Sequence, residues 1–154
     1  HETIYSSGIL SKVNFSTYIK NICAHIIRTY GSKAQNIKLE THITDIFIDL
    51  DQAVPCGLII NELVSNALKH AFPEGRKGRI TVELQRLPDD QILITVADDG
   101  IGIPADLDIS QSKTLGLKLV SMLAEELNSS VEILQDRGTT FRITFKTKPV
   151  NKEG

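Results

Sequence analysis

Residues 61–70 read Asn-Glu-Leu-Val-Ser-Asn-Ala-Leu-Lys-His and lie inside the longest helical pattern of the chain. Side chains of a helix advance by about 100° per residue, so the polar ones here share roughly a third of the circumference: Glu62, Asn66, Lys69 and His70. Carboxylate and amide oxygens suit Mg²⁺, and a lysine one turn further on can meet phosphate charge. An ordinary solvated helix face has the same appearance, so this segment alone leaves both interpretations open.

The helix that contains this segment has predictable ends. Asp51 can cap its beginning, and the helix should end near Phe72, before Pro73. Pro55 is predicted to lie in the first turn, or to follow a short preliminary turn, because an interior proline removes a backbone hydrogen bond.

Periodicity predicts the elements on either side of this helix. Apolar residues at helical spacing predict helices over residues 14–30, ending at Gly31, and over 115–127. Alternating residues predict strands at 37–41 and 46–50, with a tight reversal at 44–45, and at 79–86, 91–97, 130–135 and 139–146. The order of helix, strand and strand occurs three times. It predicts a two-layer α/β sandwich whose helices pack on one face of a mixed, mostly antiparallel sheet.

A second informative segment follows the strand at 91–97, where the chain reads Asp98-Asp99-Gly100-Ile101-Gly102-Ile103-Pro104. A carboxylate at the end of a buried strand can lie at the floor of a pocket, and glycines let the backbone approach a flat ligand closely. Asp98 can then accept a hydrogen bond from an exocyclic amino group such as adenine N6, whereas Asp99 is predicted to be on the surface. A tight turn with two surface aspartates is the alternative interpretation.

Two further glycine elements carry weaker signals. Residues 112–120 read Ser-Lys-Thr-Leu-Gly-Leu-Lys-Leu-Val, and a helix that begins there offers free N–H groups and the positive end of its dipole to an anion. Ordinary helix capping is the alternative. Gly138-Thr139-Thr140-Phe141 places a pair of hydroxyls at the start of the last strand.

Composition limits the classes of function. The 154 residues carry 17 basic and 19 acidic side chains, so no global basic field would recruit nucleic acid. Apolar runs are far shorter than the about 20 residues of a membrane-spanning helix. Cys23 and Cys56 lie in apolar helical patterns and are predicted to be buried, reduced thiols.

In this order and spacing, the four segments resemble the GHKL ATPases, which include histidine kinases, DNA gyrase B, mismatch-repair ATPases and a heat-shock chaperone. Residues 61–70 resemble the N box of that superfamily, and residues 98–102 resemble its first glycine box. The Asn-Ala-Leu-Lys-His run and the Leu-Gly-Leu helix start are similar to those of sensor histidine kinases. The resemblance extends from about Asn14 to Lys146. It implies a Bergerat-type sandwich that binds ATP and Mg²⁺ and transfers the γ-phosphoryl group to a histidine on another domain.

The resemblance also implies roles for individual residues. Asn66 would bind Mg²⁺, with Glu62 beside it as a metal ligand or base, and these two are the implied catalytic residues. Asp98 would hold adenine N6, with Thr139 sharing a water. Further nucleotide contacts would involve Lys69 and His70 on the phosphates, Gly100, Gly102 and Ile103 around the base and ribose, and Thr114, Leu115, Gly116 and Leu117 around the phosphates.

Two departures from the classical kinase pattern concern the lid. Ser112 and Thr114 stand where classical kinases have further glycines. No phenylalanine-containing box lies between Pro104 and Ser112, so the lid is short. Both features resemble the compact-lid subgroup of histidine kinases.

The same resemblance suggests domain boundaries and partners. Residues 1–13 are expected to be the remnant of an upstream dimerisation helix and linker, 14–147 the ATP-binding catalytic domain, and 148–154 a frayed tail. The implied partners are an upstream histidine-bearing dimerisation domain and the receiver domain of a response regulator. The fragment would be a monomeric, cytoplasmic domain of a homodimeric protein that is itself soluble or membrane-anchored.

Three alternatives to a histidine kinase stay open at this point. A GHKL ATPase that drives a conformational cycle would need a transducer domain after the last strand, where only residues 147–154 remain. A non-enzymatic regulator could keep the fold as a docking surface, although the intact set of polar residues favours an enzyme. An anti-sigma-factor serine kinase would share the fold and phosphorylate serine.

Overall fold

The computed structural model describes residues 12–102 and 115–148. In chain order they form β1 (Lys12–Asn14), α1 (Phe15–Tyr30), β2 (Ile37–Ile43), β3 (Phe47–Asp49), α2 (Leu50–His70), β4 (Gly78–Leu87), β5 (Gln91–Asp98), α3 (Leu115–Glu126), β6 (Val131–Leu134) and β7 (Thr139–Lys146). The predictions for residues 1–11, for the lid with Ile103 and Thr114, and for the tail from 149 onward lie outside the described residues.

The main sheet has five strands in the order β2-β4-β5-β7-β6. The pairs β4–β5, β5–β7 and β7–β6 are antiparallel, and β2 runs parallel to β4, so the sheet is mixed. Alternate residues are buried from Ile80 to Leu84 in β4 and from Thr139 to Phe145 in β7, as expected when one face of a sheet carries the core. That face includes Ile80, Val82, Leu84, Ile92, Ile94, Val96, Phe141, Ile143 and Phe145. The three helices pack on it, which confirms the predicted two-layer sandwich.

Strands β2 and β3 do not pair with each other, so the tight reversal predicted at 44–45 is wrong. The Thr44 N–H donates to the Leu84 carbonyl at 3.3 Å and continues the β2–β4 pairing. Strand β3 pairs instead with β1 in a separate two-stranded sheet, with Val13 opposite Ile48. Residues 12 and 13, which the sequence assigned to an upstream linker, therefore take part in the sheet structure of the described chain.

Helix α2 begins two residues earlier than predicted. Asp49 is the N-cap residue, although its side chain makes no capping hydrogen bond, and Asp51 lies in the first turn. The predicted capping role of Asp51 is therefore wrong, and its carboxylate contacts the Lys148 ammonium instead. Pro55 lies inside the helix, past the first turn, and is buried, so its packing offsets the backbone hydrogen bond that a proline cannot donate.

Helix α1 follows its prediction closely. Asn14 Oδ1 accepts a hydrogen bond from the Thr17 N–H at 3.2 Å, which caps the helix, and Gly31 ends it with a φ of 48°. Phe15, Ile19 and Ile26 are buried against α2 and the sheet. Cys23 and Cys56 are both buried free cysteines, as predicted.

Candidate active site

A cavity opens between α2, the end of β5, the start of β7 and α3. The empty space within it, open mouth included, is about 520 Å³. The lining residues are Leu63, Asn66, Ala67, His70, Ala71, Asp98, Gly102, Leu117, Thr139 and Phe141. The two informative segments of the sequence thus meet at one cavity, because α2 packs over the strand that ends in Asp98.

Asp98 is the last residue of β5 and lies opposite Thr139 across the β5–β7 pairing. Burial raises the pKa of its carboxyl group, and backbone hydrogen bonds from Gly100 and Thr139 oppose that rise. The Gly100 N–H donates to Asp98 Oδ1 at 2.8 Å. A half-buried carboxylate beside apolar walls can accept a hydrogen bond from an amino group of a flat ligand.

Asp99 has a different environment from Asp98. It is exposed, as predicted. Its Oδ1 accepts a hydrogen bond from the Arg79 N–H at 2.7 Å, and its own N–H donates to the Arg79 carbonyl at 3.2 Å. Asp99 therefore braces the loop against β4 and does not line the cavity.

Glycines hold the loop after β5 close to its neighbours. A Cβ atom at Gly100 would lie 2.3 Å from the Ala71 carbonyl oxygen, and one at Gly138 would lie 2.0 Å from the Asp98 carbonyl oxygen. Gly102 has a φ of 84°, which a side chain would strain. The glycine loop therefore touches both the end of α2 and the start of β7, which only residues without a side chain permit.

Glu62, Asn66 and His70, which we call the polar line of α2, lie on the helix that meets the start of α3. A Cβ atom at Gly116 would lie 2.5 Å from Glu62 Oε2 and 3.4 Å from Asn66 Nδ2, so α3 approaches these two side chains through a glycine. Asn66 Nδ2 is buried and has no hydrogen-bond partner within the part of the chain that the structure describes. A buried amide atom without a partner is costly and indicates capacity for a ligand.

Lys69 does not line the cavity, although His70 does. The exposed Lys69 side chain lines a neighbouring groove with Lys33 and Arg76. On the helix Lys69 lies about 60° to one side of Asn66 and His70 about 40° to the other side. The cavity lies on the His70 side, so the structure separates two residues that the sequence pattern had grouped.

Several residues of the cavity were missed by the sequence analysis. Leu63, Ala67 and Ala71 form an apolar row at every fourth position of α2, beside the polar line, and Phe141 closes the wall from β7. The spacing of four residues was visible in the sequence. The sequence did not show that these residues line a cavity, because residues packed against the sheet have the same spacing.

The cavity combines an apolar slot and a polar end. The slot has a carboxylate at its floor and suits a flat heteroaromatic group that carries an amino substituent. The polar end holds a carboxylate and an amide whose nitrogen has no partner in the described part of the chain, both near the start of a helix, which suits a bound cation and anionic groups.

Comparison with known families places this geometry among nucleotide-binding proteins. Residues 51–149 match the family described as histidine kinase-, DNA gyrase B-, and HSP90-like ATPase. The chain is 27% identical over 141 residues to blue-light-activated histidine kinase 2 of Erythrobacter litoralis, an alignment that covers 92% of this chain and 40% of that protein. It is 34% identical over 111 residues to the sensor histidine kinase PdtaS of Mycobacterium tuberculosis, with 70% of this chain and 21% of that protein covered. The chain thus spans well under half the length of both relatives.

The fold is also similar to a solved histidine kinase structure. The histidine kinase domain of the Erythrobacter litoralis EL346 blue-light activated histidine kinase superposes with a TM-score of 0.80 and 26% identity, over 88% of this chain and 62% of that one. Among the described residues, no helix has the length and apolar character needed to cross a membrane.

Proposed function

Because this chain belongs to the family of histidine kinase-, DNA gyrase B- and HSP90-like ATPases, we propose that it is the ATP-binding catalytic domain of a sensor histidine kinase. It transfers the γ-phosphoryl group of ATP to a histidine on a separate dimerisation domain, for relay to the receiver domain of a response regulator. The proposal rests above all on one observation: Asn66 and Asp98, from distant parts of the sequence, line the same cavity.

The apolar slot is the proposed adenine site. Asp98 accepts a hydrogen bond from adenine N6, and the buried Thr139 hydroxyl lies beside it and shares a water with the base. Gly100, Gly102 and Ile103 are proposed to surround the base and ribose. Ala67 and Ala71 form the wall against which the base packs.

The polar end is the proposed Mg²⁺ and phosphate site. Asn66 fits this role because its amide nitrogen is buried and has no hydrogen-bond partner among the described residues. The two ends of an amide exchange by a half-turn, so this position can present the oxygen that a hard cation requires. Asn66 would hold the ion, with Glu62 beside it, and the ion would supply charge neutralisation on the phosphates when bound.

The phosphates are proposed to lie toward the start of α3. The backbone of Thr114, Leu115, Gly116 and Leu117 is proposed to surround them, with His70 at the cavity and Lys69 reaching over from the neighbouring groove. In the reaction, a nitrogen of the acceptor histidine attacks the γ-phosphorus, the bond to the β,γ-bridging oxygen breaks, and ADP leaves. Glu62 is the proposed group that takes up the imidazole proton, since it is the carboxylate beside Asn66.

A transfer assay tests this proposal. The chain is mixed with a separate histidine-bearing helical domain and labelled ATP, and the modified domain is tested for phosphate that is labile in acid and stable in base. Asn66→Ala is expected to abolish transfer while its circular dichroism stays that of the unchanged chain. Asn61→Ala is the matched control, because Asn61 is the same residue type on the same helix and does not line the cavity.

The other outcomes would either contradict the metal role or indicate a different function. Full transfer by Asn66→Ala would overturn the proposed metal role. Acid-stable phosphate on serine would indicate a serine kinase, and release of inorganic phosphate without any acceptor would indicate an ATPase cycle.

A further inference from the structure

One row of side chains on α2 changes character halfway along the helix. Every fourth residue from 50 to 70 lies on this row: Leu50, Val54, Leu58, Glu62, Asn66 and His70. The second half is the polar line of the candidate active site. The first half is apolar yet exposed, with relative exposures of 53%, 43% and 43% for the three side chains, and Phe47 of β3 just before it is 58% exposed. We call Phe47, Leu50, Val54 and Leu58 the apolar ridge.

The apolar ridge is not the core face of α2. That face is formed by other residues, among them Ala53, Cys56 and Ile60, which are fully buried. Single exposed apolar residues are common in proteins. Three exposed apolar side chains on one row of a helix, with a fourth next to them, indicate a surface that another segment covers.

The described chain begins next to this ridge. Strand β1 is antiparallel to β3, with Lys12 opposite Asp49, and the Lys12 ammonium lies 3.2 Å from Asp49 Oδ1. Because the two strands run in opposite directions, Lys12, where the described chain begins, lies at the end of this sheet where β3 enters α2. Residues 1–11 are therefore tethered beside Leu50, the first residue of the row.

The composition and length of residues 1–11 fit the ridge. They contain four apolar side chains, Ile4, Tyr5, Ile9 and Leu10. From Leu50 to Leu58 the helix rises about 12 Å, whereas ten residues can extend to roughly 33 Å, so the segment can span the ridge. A covalent tether also gives the segment a high effective concentration at this surface, which a separate molecule would lack.

We propose that the apolar ridge is the docking site for residues 4–10 of this same chain. The row turns around α2 by about 40° with each step, so docking fixes the segment to the helix that carries Glu62 and Asn66 but to one side of those residues. This proposal does not depend on the nucleotide chemistry and can fail or succeed independently of it.

A spin-label experiment tests the proposal in the whole chain. Ser7→Cys provides one accessible thiol for a nitroxide, because Cys23 and Cys56 are buried. In a chain with isotope-labelled methyl groups, the nitroxide is expected to remove most of the signal intensity from Leu50, Val54 and Leu58. The exposed methyl groups of Met122 and Leu134, which lie outside the ridge, should keep theirs.

Two comparisons make the result decisive. Ile9→Ser with Leu10→Ser should restore the ridge signals, and Ser6→Ala should not, since it leaves the apolar side chains in place. Spin-labelled chain mixed with isotope-labelled chain that lacks the nitroxide detects contact between molecules. Ridge signals that stay sharp in the labelled chain, or that broaden in the mixture, would overturn docking within one chain.

Discussion

At the residue scale, Asp98 and Asp99 show how one backbone step separates a candidate binding group from a structural one. Asp98 ends a central strand and is half buried, so burial raises its pKa, while Asp99 is exposed and braces Arg79. Alternation along a strand turns neighbouring side chains to opposite faces. The two carboxylates therefore act differently although their chemistry is the same.

The first prediction concerns the proposed adenine contact. Asp98→Asn should weaken ATP binding by about 1–3 kcal/mol, because one oxygen of residue 98 already accepts from the Gly100 N–H, and an amide that keeps this bond turns its NH2 group toward the adenine amino group. Isothermal titration of the chain with ATP measures this loss. Asp99→Asn is the matched control, since it keeps the oxygen that accepts from the Arg79 N–H and should bind ATP unchanged. Equal affinities for all three proteins would contradict the adenine assignment.

A second prediction uses the raised pKa of Asp98. Its ordinary pKa is 3.8, and the folded chain raises it, chiefly through burial. The folded state therefore holds this proton more tightly than the unfolded state. Its contribution to the free energy of unfolding is largest below pH 3.8 and is lost as the pH rises through the raised pKa. Urea unfolding at a series of pH values should show the unchanged chain losing stability relative to Asp98→Asn across that window. A difference that stays constant with pH would contradict the raised pKa.

At the element scale, the end of α2 and the loop after β5 form one unit. The Ile101 N–H donates to the Ala71 carbonyl at 3.0 Å. The oxygen of that carbonyl is also the atom nearest to a Cβ placed at Gly100. Since α2 also carries Asn66, this contact sets the separation between the two ends of the candidate active site.

The third prediction tests that contact. Gly100→Ala would place a Cβ atom 2.3 Å from the Ala71 carbonyl oxygen and 2.5 Å from the Ala71 Cβ. Neither Ala71 atom can move unless the backbone moves. The free energy of unfolding should therefore fall by about 1–3 kcal/mol, and ATP affinity should fall with it. Urea denaturation and titration calorimetry measure the two effects. Ile101→Ala removes an exposed side chain from the next position and should leave stability nearly unchanged, whereas comparable losses in both variants would argue against the contact.

At the scale of the whole molecule, the helices and the main sheet enclose one hydrophobic core that includes both cysteines. Cys23 lies in α1 and Cys56 in α2, and both thiols are buried. Burial raises the pKa of Cys23 to about 11 and that of Cys56 further still. Neither thiol is therefore reactive in the folded chain near neutral pH.

The fourth prediction follows from this shared core. Both cysteines should resist a thiol reagent at pH 8 and react together along the urea transition that circular dichroism reports, because one cooperative unfolding step exposes them. Met122→Cys, on the exposed face of α3, should react at once and serves as the control for the reagent. Reaction of Cys23 well before the loss of helix signal would show that α1 opens separately.

Local features of the chain were readable from the sequence by itself. The three helices, the strands β4, β5, β6 and β7, the polar residues of α2 and the aspartate before the glycine loop all follow from periodicity and turn residues. These signals arise between residues a few positions apart. The sequence is therefore sufficient wherever a hydrogen bond or a face is shared by near neighbours.

Other features were decided only by the tertiary structure. Segments far apart in the chain meet where β2 pairs with β4, where β3 pairs with β1 and where Gly138 approaches Asp98. The arrangement of these segments also decides that Lys69 lines a groove while His70 lines the cavity. Alternation specifies which face of a strand is buried but carries no information about which strand lies beside it. Those pairings depend on how all the layers pack at once, and that packing also brings Asn66 and Asp98 to one cavity.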